Sequence, residues 1–538
     1  MWTPLPAYAE LHCLSAFSFQ RGASLPEELV QRAAALGYSA LAITDECSVS
    51  GVVRAHTQAQ ESGIQLLPGA EFLLPPDADA APQQLPAGRA AESTTPAAPV
   101  RLVVLPHNLQ GWGNLCEFIT AARRKAAKGT YEVSWSGSDW ASLQHCEVLL
   151  APTRAITFEA LCAACLRARQ WFAGRLWLAL ELLHGLDDDL WQHKLESAGG
   201  HTGVPLVAAG NVHMHVRSRK PLQDVLTAVR LGKPVMDCGF ELQPNAEAHL
   251  RARLRVAGIY SPELLQATLT IASRCTFSLD ELRYQYPVET VLPGLTPSQT
   301  LRRFTYEGMS QRYPQGIPAH VQLQVEHELA LIAELRYEMY FLTVYDIVRF
   351  ARARHILCQG RGSAANSAVC YCLGVTEVDP ARMNVLFERF ISRERNEPPD
   401  IDVDFEHQRR EEVIQYIYTK YGRERAAITG VVVSYRPKSA IRDVGKALGL
   451  DEALIDAFAK EHRWFDGRSL LAQQLQERVL AAGMDPDDPR IAQWLELTQQ
   501  LMGLPRHLSQ HVGGFVLTRS AKLAAWLSGK PYSPKPSI

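Results

Sequence analysis

The chain has 538 residues, which is enough for roughly three or four domains, each with its own core. Its formal net charge of −2 and its 47% hydrophobic content are those of an ordinary soluble protein, so any basic surface for nucleic acid must be local. The eleven cysteines are scattered and predict reduced core thiols, because the one Cys-x-x-Cys pair, Cys162 and Cys165, lacks a second ligand pair. Neither a signal peptide nor an apolar run of about 18 residues is present, so we expect a cytoplasmic protein that does not contact a membrane.

Residues 8–225 alternate short apolar strands with helical stretches. The segments "SLPEELVQRAAALG" and "GVVRAHTQAQESG" have helical periodicity, whereas "SALAIT" and "IQLLPGAEF" are typical of strands. This alternation predicts βα units that form a parallel sheet or barrel. Residues 76–99 are rich in Ala and Pro without periodicity, and predict a flexible surface insertion.

From about Leu282 the pattern changes to long helices, including one stretch that runs from His320 to His355. The Gly-rich segment "CQGRGSAANSAVCYCLG" follows. Its glycines allow the backbone to approach a ligand, and the free N–H groups of the helix expected after them make an anion site. Arg361 adds a guanidinium group suited to phosphate oxygens. A tight turn with a serine N-cap would explain the same residues without a ligand.

The segment "EPPDIDVDFEH" places Asp400, Asp402 and Asp404 at alternate positions. On a β-strand these three side chains share one face, and the apolar residues between them share the other. Three like charges within about 7 Å repel one another unless a cation lies among them, so the pattern indicates a hard divalent metal. A solvated edge strand or an acidic loop is the alternative. Together with the Gly-rich segment, the aspartates indicate phosphoryl transfer.

Between Lys420 and Lys446 seven Lys or Arg residues stand against two acids, a local charge of +5. Such a segment favours contact with the phosphates of a nucleic acid or a nucleotide. A solvated helix face is the alternative.

Three segments, in this order and spacing, resemble the palm and thumb of bacterial C-family DNA polymerases, the polymerase III alpha-subunit group: "GRGSAANSAVCYCLGVTEVDP", "LFERFISRERNEPPDIDVDF" and "SYRPKSAIRDVGKALG". They are most similar to the error-prone, damage-inducible branch. The resemblance implies an α/β and α+β multidomain fold. Its parts would be a distorted βα barrel of the polymerase-and-histidinol-phosphatase (PHP) type over 1–280, a nucleotidyltransferase-type palm over 281–424, a helical thumb insertion over 425–504 and a palm return over 505–538.

The resemblance also implies roles for individual residues. The nucleotide-binding residues would be Arg361, Gly362 and Ser363. The catalytic ligands of a two-metal Mg²⁺ site would be Asp402 and Asp404, with Asp400 beside them. The DNA or phosphate contacts would be Arg436, Lys438 and Arg442.

A polymerase of this kind would add dNTPs to the primer 3′ end on a primed DNA template during translesion synthesis and DNA repair. A sliding clamp and damage-tolerance proteins are the partners that the family implies. The family places a further catalytic carboxylate downstream of the strand Val512–Thr518, but residues 497–538 contain no Asp or Glu. We therefore expect a truncated, inactive form. A metal phosphoesterase and a non-catalytic fragment that binds DNA or a partner protein are the alternatives.

Four further segments resemble the signatures of the polymerase-and-histidinol-phosphatase (PHP) domain, which binds a metal cluster in active members: "ELHCLSAFSF", "LAITDECS", "LLPGAEF" and "AAGNVHMH". The residues at ligand positions are His12, Asp45, Glu71 and His213. Non-matching residues stand at three other positions, namely Leu14, Glu46 and Asn211. Leucine cannot coordinate a metal, and Asn offers a neutral oxygen in place of a carboxylate. The resemblance therefore implies an eroded site that binds metal weakly or not at all, in a domain with a structural role.

Overall fold

The computed structural model describes residues 5–76, 98–282, 286–287, 290–379, 391, 401–460, 480 and 488–519. Most of the predicted insertion at 76–99 lies outside these residues. The chain forms two compact units. The first contains the described residues up to Leu282 together with those of Val431–Ser509, and the second contains the described residues of Arg283–Gly430 together with those from Gln510 onward. The domain boundaries predicted from the sequence remain predictions.

The N-terminal part of the first unit is a mixed α/β structure. Its strands are β1 (Ala9–Glu10), β2 (Ala40–Ile43), β3 (Gln65–Pro68), β4 (Ala70–Leu74), β5 (Val100–Pro106), β6 (Cys146–Pro152), β7 (Leu176–Glu181) and β8 (Leu206–Ala209). Its α-helices are α1 (Pro26–Ala35), α2 (Val52–Ser62), α3 (Leu109–Arg124), α4 (Phe158–Phe172), α5 (Asp188–Thr202), α6 (Lys220–Leu231), α7 (Arg253–Ile259) and α8 (Pro262–Arg274). The helices predicted over α1 and α2 and the strand predicted over β2 are confirmed.

The strands form two sheets, with the orders β1-β2-β3 and β4-β5-β6-β7-β8. The first sheet is parallel, but in the second β5 pairs antiparallel with both β4 and β6. The expected all-parallel arrangement is therefore wrong for that edge. The single strand predicted over "IQLLPGAEF" is two strands divided at Gly69, where an added Cβ would lie 2.6 Å from the carbonyl oxygen of Val104. The sheets and helices thus form a mixed α/β fold, and closure into a barrel remains a prediction.

The second unit is mainly helical around a small sheet. Its elements in chain order are α9 (Pro297–Arg312), α10 (Ala319–Glu334), α11 (Glu338–Ala353), β9 (Cys358–Arg361), α12 (Ala368–Cys372), β10 (Asp402–Phe405), α13 (Arg410–Tyr421) and the start of β11 (Ala426–Ser434). The long helix predicted from His320 to His355 is two helices. The break falls at Arg336, whose φ of +59° is left-handed and ends α10.

The chain then contributes α14 (Pro437–Ala447), α15 (Glu452–Lys460), a further helix α16 (Pro489–Leu501), and β12 (Pro505–Leu517), which pairs with β11. Within the first unit, α14 and α16 share one core with α6 of the N-terminal part. Trp494 is fully buried there, and its indole Nε1–H donates to the carbonyl oxygen of Ile441 at 2.9 Å. The basic helix α14 thus packs against a helix of the N-terminal part of the same unit.

All eleven cysteines are free thiols, and all but Cys358 are buried, as predicted for core residues. None of the described helices has the length and apolar character that a bilayer crossing requires.

Candidate nucleotide and metal site

The Gly-rich segment and the aspartate segment lie side by side in the second unit. Strands β9 and β10 pair antiparallel, and the register places Asp402 opposite Arg361, and Asp404 opposite Gln359. The two sequence patterns that predict a phosphate site and a metal site therefore occupy neighbouring strands.

The strand predicted for the aspartates is confirmed over Asp402–Phe405. Ile401 and Val403 pack against the core of the second unit, whereas the side chains of Asp402 and Asp404 are 47% and 66% exposed. The two carboxylates thus share the open face of the strand, as the alternation predicts. Asp400 lies outside the described residues.

Arg361 contacts both carboxylates. Its Nε lies 2.8 Å from Asp404 Oδ2, and its Nη1 lies 3.5 Å from Asp402 Oδ2. Such exposed ion pairs contribute about 0–1 kcal/mol each to stability, so a cation that binds the carboxylates more tightly can replace the guanidinium at little cost. Carboxylate oxygens are the donors that Mg²⁺ prefers, and the pair therefore fits part of a magnesium site. The part of the chain that the structure describes contains no group of three or more such ligands.

The Gly-rich turn depends on two glycines for different reasons. A Cβ on Gly360 would lie 2.7 Å from the carbonyl oxygen of Val375, so only glycine fits in the strand there. Gly362 has a φ of +69°, a conformation that glycine adopts without strain. A 3₁₀ turn, Gly362–Asn366, then separates β9 from α12. The expected direct entry into a helix at this point is therefore wrong, although the backbone of Ser363 lies in the predicted turn.

The N-terminal end of α12 is not open to a ligand, contrary to the sequence expectation. The carboxylate of Glu328, on α10, accepts hydrogen bonds from the backbone N–H groups of Ala368 (2.9 Å) and Val369 (3.0 Å). Sequence reasoning missed this residue. The available signal was an acid within the apolar stripe of α10, between Val325 and Ile332, both of which are buried.

The basic segment is partly neutralised within the protein. Lys420 pairs with Asp346, Arg442 with Asp456 and Lys446 with Glu452. Arg436 and Lys438, near the start of α14, are exposed, and neither has an ion-pair partner within the described part of the chain. They are the predicted phosphate contacts whose charge is available.

In the first unit, His12 and Glu71 lie together with Glu181. His12 Nε2 is 2.7 Å from Glu71 Oε2, and its Nδ1 is 2.6 Å from Glu181 Oε1. Burial lowers the pKa of His12, but the two carboxylates outweigh this effect and raise the pKa to about 9. His12 is therefore a cation at neutral pH, with both ring nitrogens occupied.

Arg21 provides a second positive charge to the same cluster. Its Nη1 contacts Glu71 and lies 2.6 Å from Glu46 Oε2. Glu71 is fully buried, and although burial raises the pKa of its carboxyl, Arg21 and His12 hold the pKa well below its usual range. Arg21 was not among the predicted residues, because "FQRGA" matches no ligand pattern.

The residues at the other two ligand positions also make hydrogen bonds within the protein. Asp45 accepts hydrogen bonds from the hydroxyl groups of Ser15 and Ser18, each at 2.7 Å. His213 Nε2 lies 3.0 Å from the side-chain oxygen of Asn211. These residues do not fit the metal cluster that the PHP signatures imply, since protein side chains already engage His12, Asp45 and Glu71, whereas His213 Nδ1 is buried without a hydrogen-bond partner among the described residues.

Two family descriptions match this chain. Residues 299–528 match the bacterial DNA polymerase III alpha NTPase domain, and residues 10–166 match the PHP domain. A curated relative named error-prone DNA polymerase, from Bordetella parapertussis (strain 12822), is 55% identical over 527 residues, covering 96% of this chain and 48% of the relative. Another of that name, from Dechloromonas aromatica (strain RCB), is 52% identical over 523 residues, again covering 96% and 48%.

By these matches the chain is related to the bacterial DNA polymerase III alpha-subunit family, with the NTPase domain matched over residues 299–528 and the PHP domain over residues 10–166. Its curated relatives within that family are error-prone DNA polymerases, and the chain spans about half the length of those it matches, namely 48% of the Bordetella protein and 48% of the Dechloromonas protein. Among solved structures, an amidohydrolase from Chromobacterium violaceum covers 39% of this chain and 88% of its own at 16% identity; its TM-score of 0.25 is too low to support an argument.

Proposed function

We propose that the whole protein is an error-prone DNA polymerase of damage tolerance, which adds dNTPs to a primer 3′ end. The observation that carries this proposal is the pairing of β9 with β10, which sets Arg361 opposite Asp402. A guanidinium suited to phosphate and carboxylates suited to a hard cation are thereby brought to one place. Phosphoryl transfer requires this combination, because catalysis there rests on positioning and charge neutralisation.

In this proposal Asp402 and Asp404 hold Mg²⁺, which supplies charge neutralisation on the phosphates when bound. Arg361 would leave the aspartates and bind the triphosphate, because the cation then compensates the carboxylates. The backbone N–H groups of Gly362 and Ser363 would orient the same phosphates. Holding the reacting groups in place is worth several kcal/mol in such reactions.

Arg436 and Lys438 would contact the phosphates of primed DNA, since their charges are exposed and not paired in the described structure. Arg442 belongs to the same predicted set, but its ion pair with Asp456 at 2.8 Å must open before it can do so. A sliding clamp and damage-tolerance proteins are the partners that this function requires.

The central test is Asp404→Asn in a version of the protein that is extended beyond Ile538. We expect nucleotide addition to fall at least about 10²-fold, because a neutral amide replaces a ligand of a hard cation. DNA affinity should change little. Glu411→Gln, an acid of the same unit on the exposed side of α13, is the control and should leave the rate unchanged. Nucleotide addition by Asp404→Asn at more than about a hundredth of the parent rate would refute the assignment.

A primer-extension assay on residues 1–538 alone tests whether these residues suffice. We expect no extension, because residues 497–538 contain no carboxylate that could serve as the third ligand. Extension by preparations free of host polymerase would make Asp400 the candidate for that role. DNA binding without extension, in both the 538-residue and the extended protein, would favour a non-catalytic role in DNA binding.

A metal phosphoesterase in the first unit is the other candidate function. Leu14 is buried and cannot coordinate, and Arg21 occupies Glu71 and Glu46. Manganese-dependent hydrolysis of a simple phosphoester by the purified chain, abolished in Asp45→Asn, would be required to support this function.

A further inference from the structure

Glu328 is an acidic side chain inside the core of the second unit. Its relative exposure is 0%, and it lies on α10 among buried apolar residues. Its Oε2 accepts from the hydroxyl of Ser367 at 2.8 Å, and its Oε1 accepts from the side-chain amide of Gln324 at 3.0 Å. With the two backbone N–H groups of Ala368 and Val369, the carboxylate has four donors. A carboxylate so fully satisfied holds its donors firmly, since removing it would leave several buried polar groups without a partner.

Three of these donors, from Ser367, Ala368 and Val369, lie directly after the turn Gly362–Asn366. The 3₁₀ turn ends at Asn366, and the next residue, Ser367, both donates to Glu328 and accepts from the backbone N–H of Cys370 at 3.0 Å. At its other end the turn follows β9, which is paired with the aspartate strand. The turn is therefore tethered on one side by the strand pair and on the other by Glu328.

The same contacts limit where an anion can bind. The N–H groups at the start of α12 already face a carboxylate, and a phosphate placed there would meet a like charge. Gly362, in contrast, is exposed, and a Cβ built on it would meet no atom within 4 Å. A triphosphate must therefore bind on this open side of the turn and use Arg361 and the N–H groups of the turn itself.

We infer that Glu328 is a positioning residue for nucleotide binding, which fixes the turn Gly362–Asn366 by occupying the end of α12. This inference rests on the proposed function, because it assumes that the turn binds a triphosphate. Glu328 does not contact the nucleotide in this arrangement, and it acts through Ser367 and the first two residues of α12.

The experiment compares the parent chain with Glu328→Gln and with Glu326→Gln. The control residue lies on the same helix, but it pairs with Arg302 at the surface, where their side chains are 36% and 50% exposed. Burial raises the pKa of the Glu328 carboxyl to about 7 although its hydrogen bonds lower it, so the measurements are made at pH 8, where the carboxylate predominates. The rate of hydrogen–deuterium exchange over residues 367–372 measures how firmly Glu328 holds this segment. Calorimetric titration with dATP and Mg²⁺ measures the affinity for the nucleotide.

In Glu328→Gln we expect exchange over 367–372 to be at least about tenfold faster and dATP affinity to fall about tenfold, the factor for a lost hydrogen bond to a charged group. Glu326→Gln should match the parent in both measurements. If Glu328→Gln does not fold, Ser367→Ala removes one contact with the carboxylate and should give changes of the same direction and smaller size.

The outcomes separate the two proposals. Unchanged exchange over 367–372 would overturn the tether. Faster exchange with unchanged dATP affinity would overturn the positioning role and leave the nucleotide site intact. If the parent chain itself binds no dATP, the assignment of the turn as a nucleotide site fails, and the positioning role fails with it.

Discussion

Removing the guanidinium of Arg21 should strongly destabilise the first unit. The substitution Arg21→Met keeps most of the side-chain volume but leaves Glu71, which is fully buried, without one of its two cationic partners. Breaking a buried ion pair from one side typically costs about 3–5 kcal/mol. Glu71 keeps the contact with His12 at 2.7 Å, so we expect a loss near the lower end, about 3 kcal/mol.

The assay is urea unfolding followed by tryptophan fluorescence, with Arg54→Met as the matched control. Arg54 also pairs with a glutamate, Glu27, but the two side chains are 41% and 29% exposed. Its loss should therefore change the free energy of unfolding by less than about 1 kcal/mol. Manganese should not stabilise the first unit of the parent chain, because protein side chains already pair with His12, Asp45 and Glu71. The reasoning fails if Arg21→Met lies within about 1 kcal/mol of the parent, or if manganese raises the stability of the first unit.

Two further predictions concern DNA binding and acid stability. Lys438→Ala should lower the salt dependence of DNA affinity by about one unit of slope. Lys446→Ala should not, because the charge of Lys446 is paired with Glu452. Equal slopes for the two variants would assign Lys438 to a solvated helix face. Glu147→Gln should destabilise the first unit at pH 7. Burial raises the pKa of Glu147, but hydrogen bonds from His107 and Trp177 outweigh it and keep the pKa below its ordinary 4.5. That stabilisation is present above about pH 4.5 and disappears as the pH falls through the folded-state pKa, so the difference between parent and variant in urea unfolding should shrink as the pH is lowered below 4.5, and a constant difference would contradict the assignment.

The local patterns in the sequence were sufficient for many elements. Alternation predicts the aspartate strand, and helical periodicity predicts α1 and α2, because each signal depends on residues close together in the chain. The break between α10 and α11 was missed, since Arg336 adopts a left-handed conformation that is typical of glycine and carries no sequence signal of its own. The antiparallel edge formed by β4 and β5 was also missed, because strand direction depends on partners that are distant in sequence.

The same distinction separates the predicted site residues from those that were missed. Asp402 and Arg361 belong to short motifs, and their adjacency follows once the two strands pair. Glu328 and Arg21 belong to no motif, and their roles depend on contacts with residues 25 to 50 positions away. A single buried acid or base in a sequence gives no indication of its partner, so only the tertiary structure could identify them.

The positions of Glu328 and Arg21 have the same physical explanation. In each case a motif indicates a place for a ligand of one charge, and a side chain of that charge already occupies it: a carboxylate at the end of α12, and a guanidinium among the acids near Glu71. A bound ligand contributes stability only at concentrations above its dissociation constant, whereas a covalently attached group contributes it always. A charged side chain of the protein itself can therefore stabilise such a segment whether or not a ligand is present. The exposed pair of Arg361 with Asp402 and Asp404 differs, because weak contacts in water allow these charges to exchange partners when a metal and a triphosphate arrive.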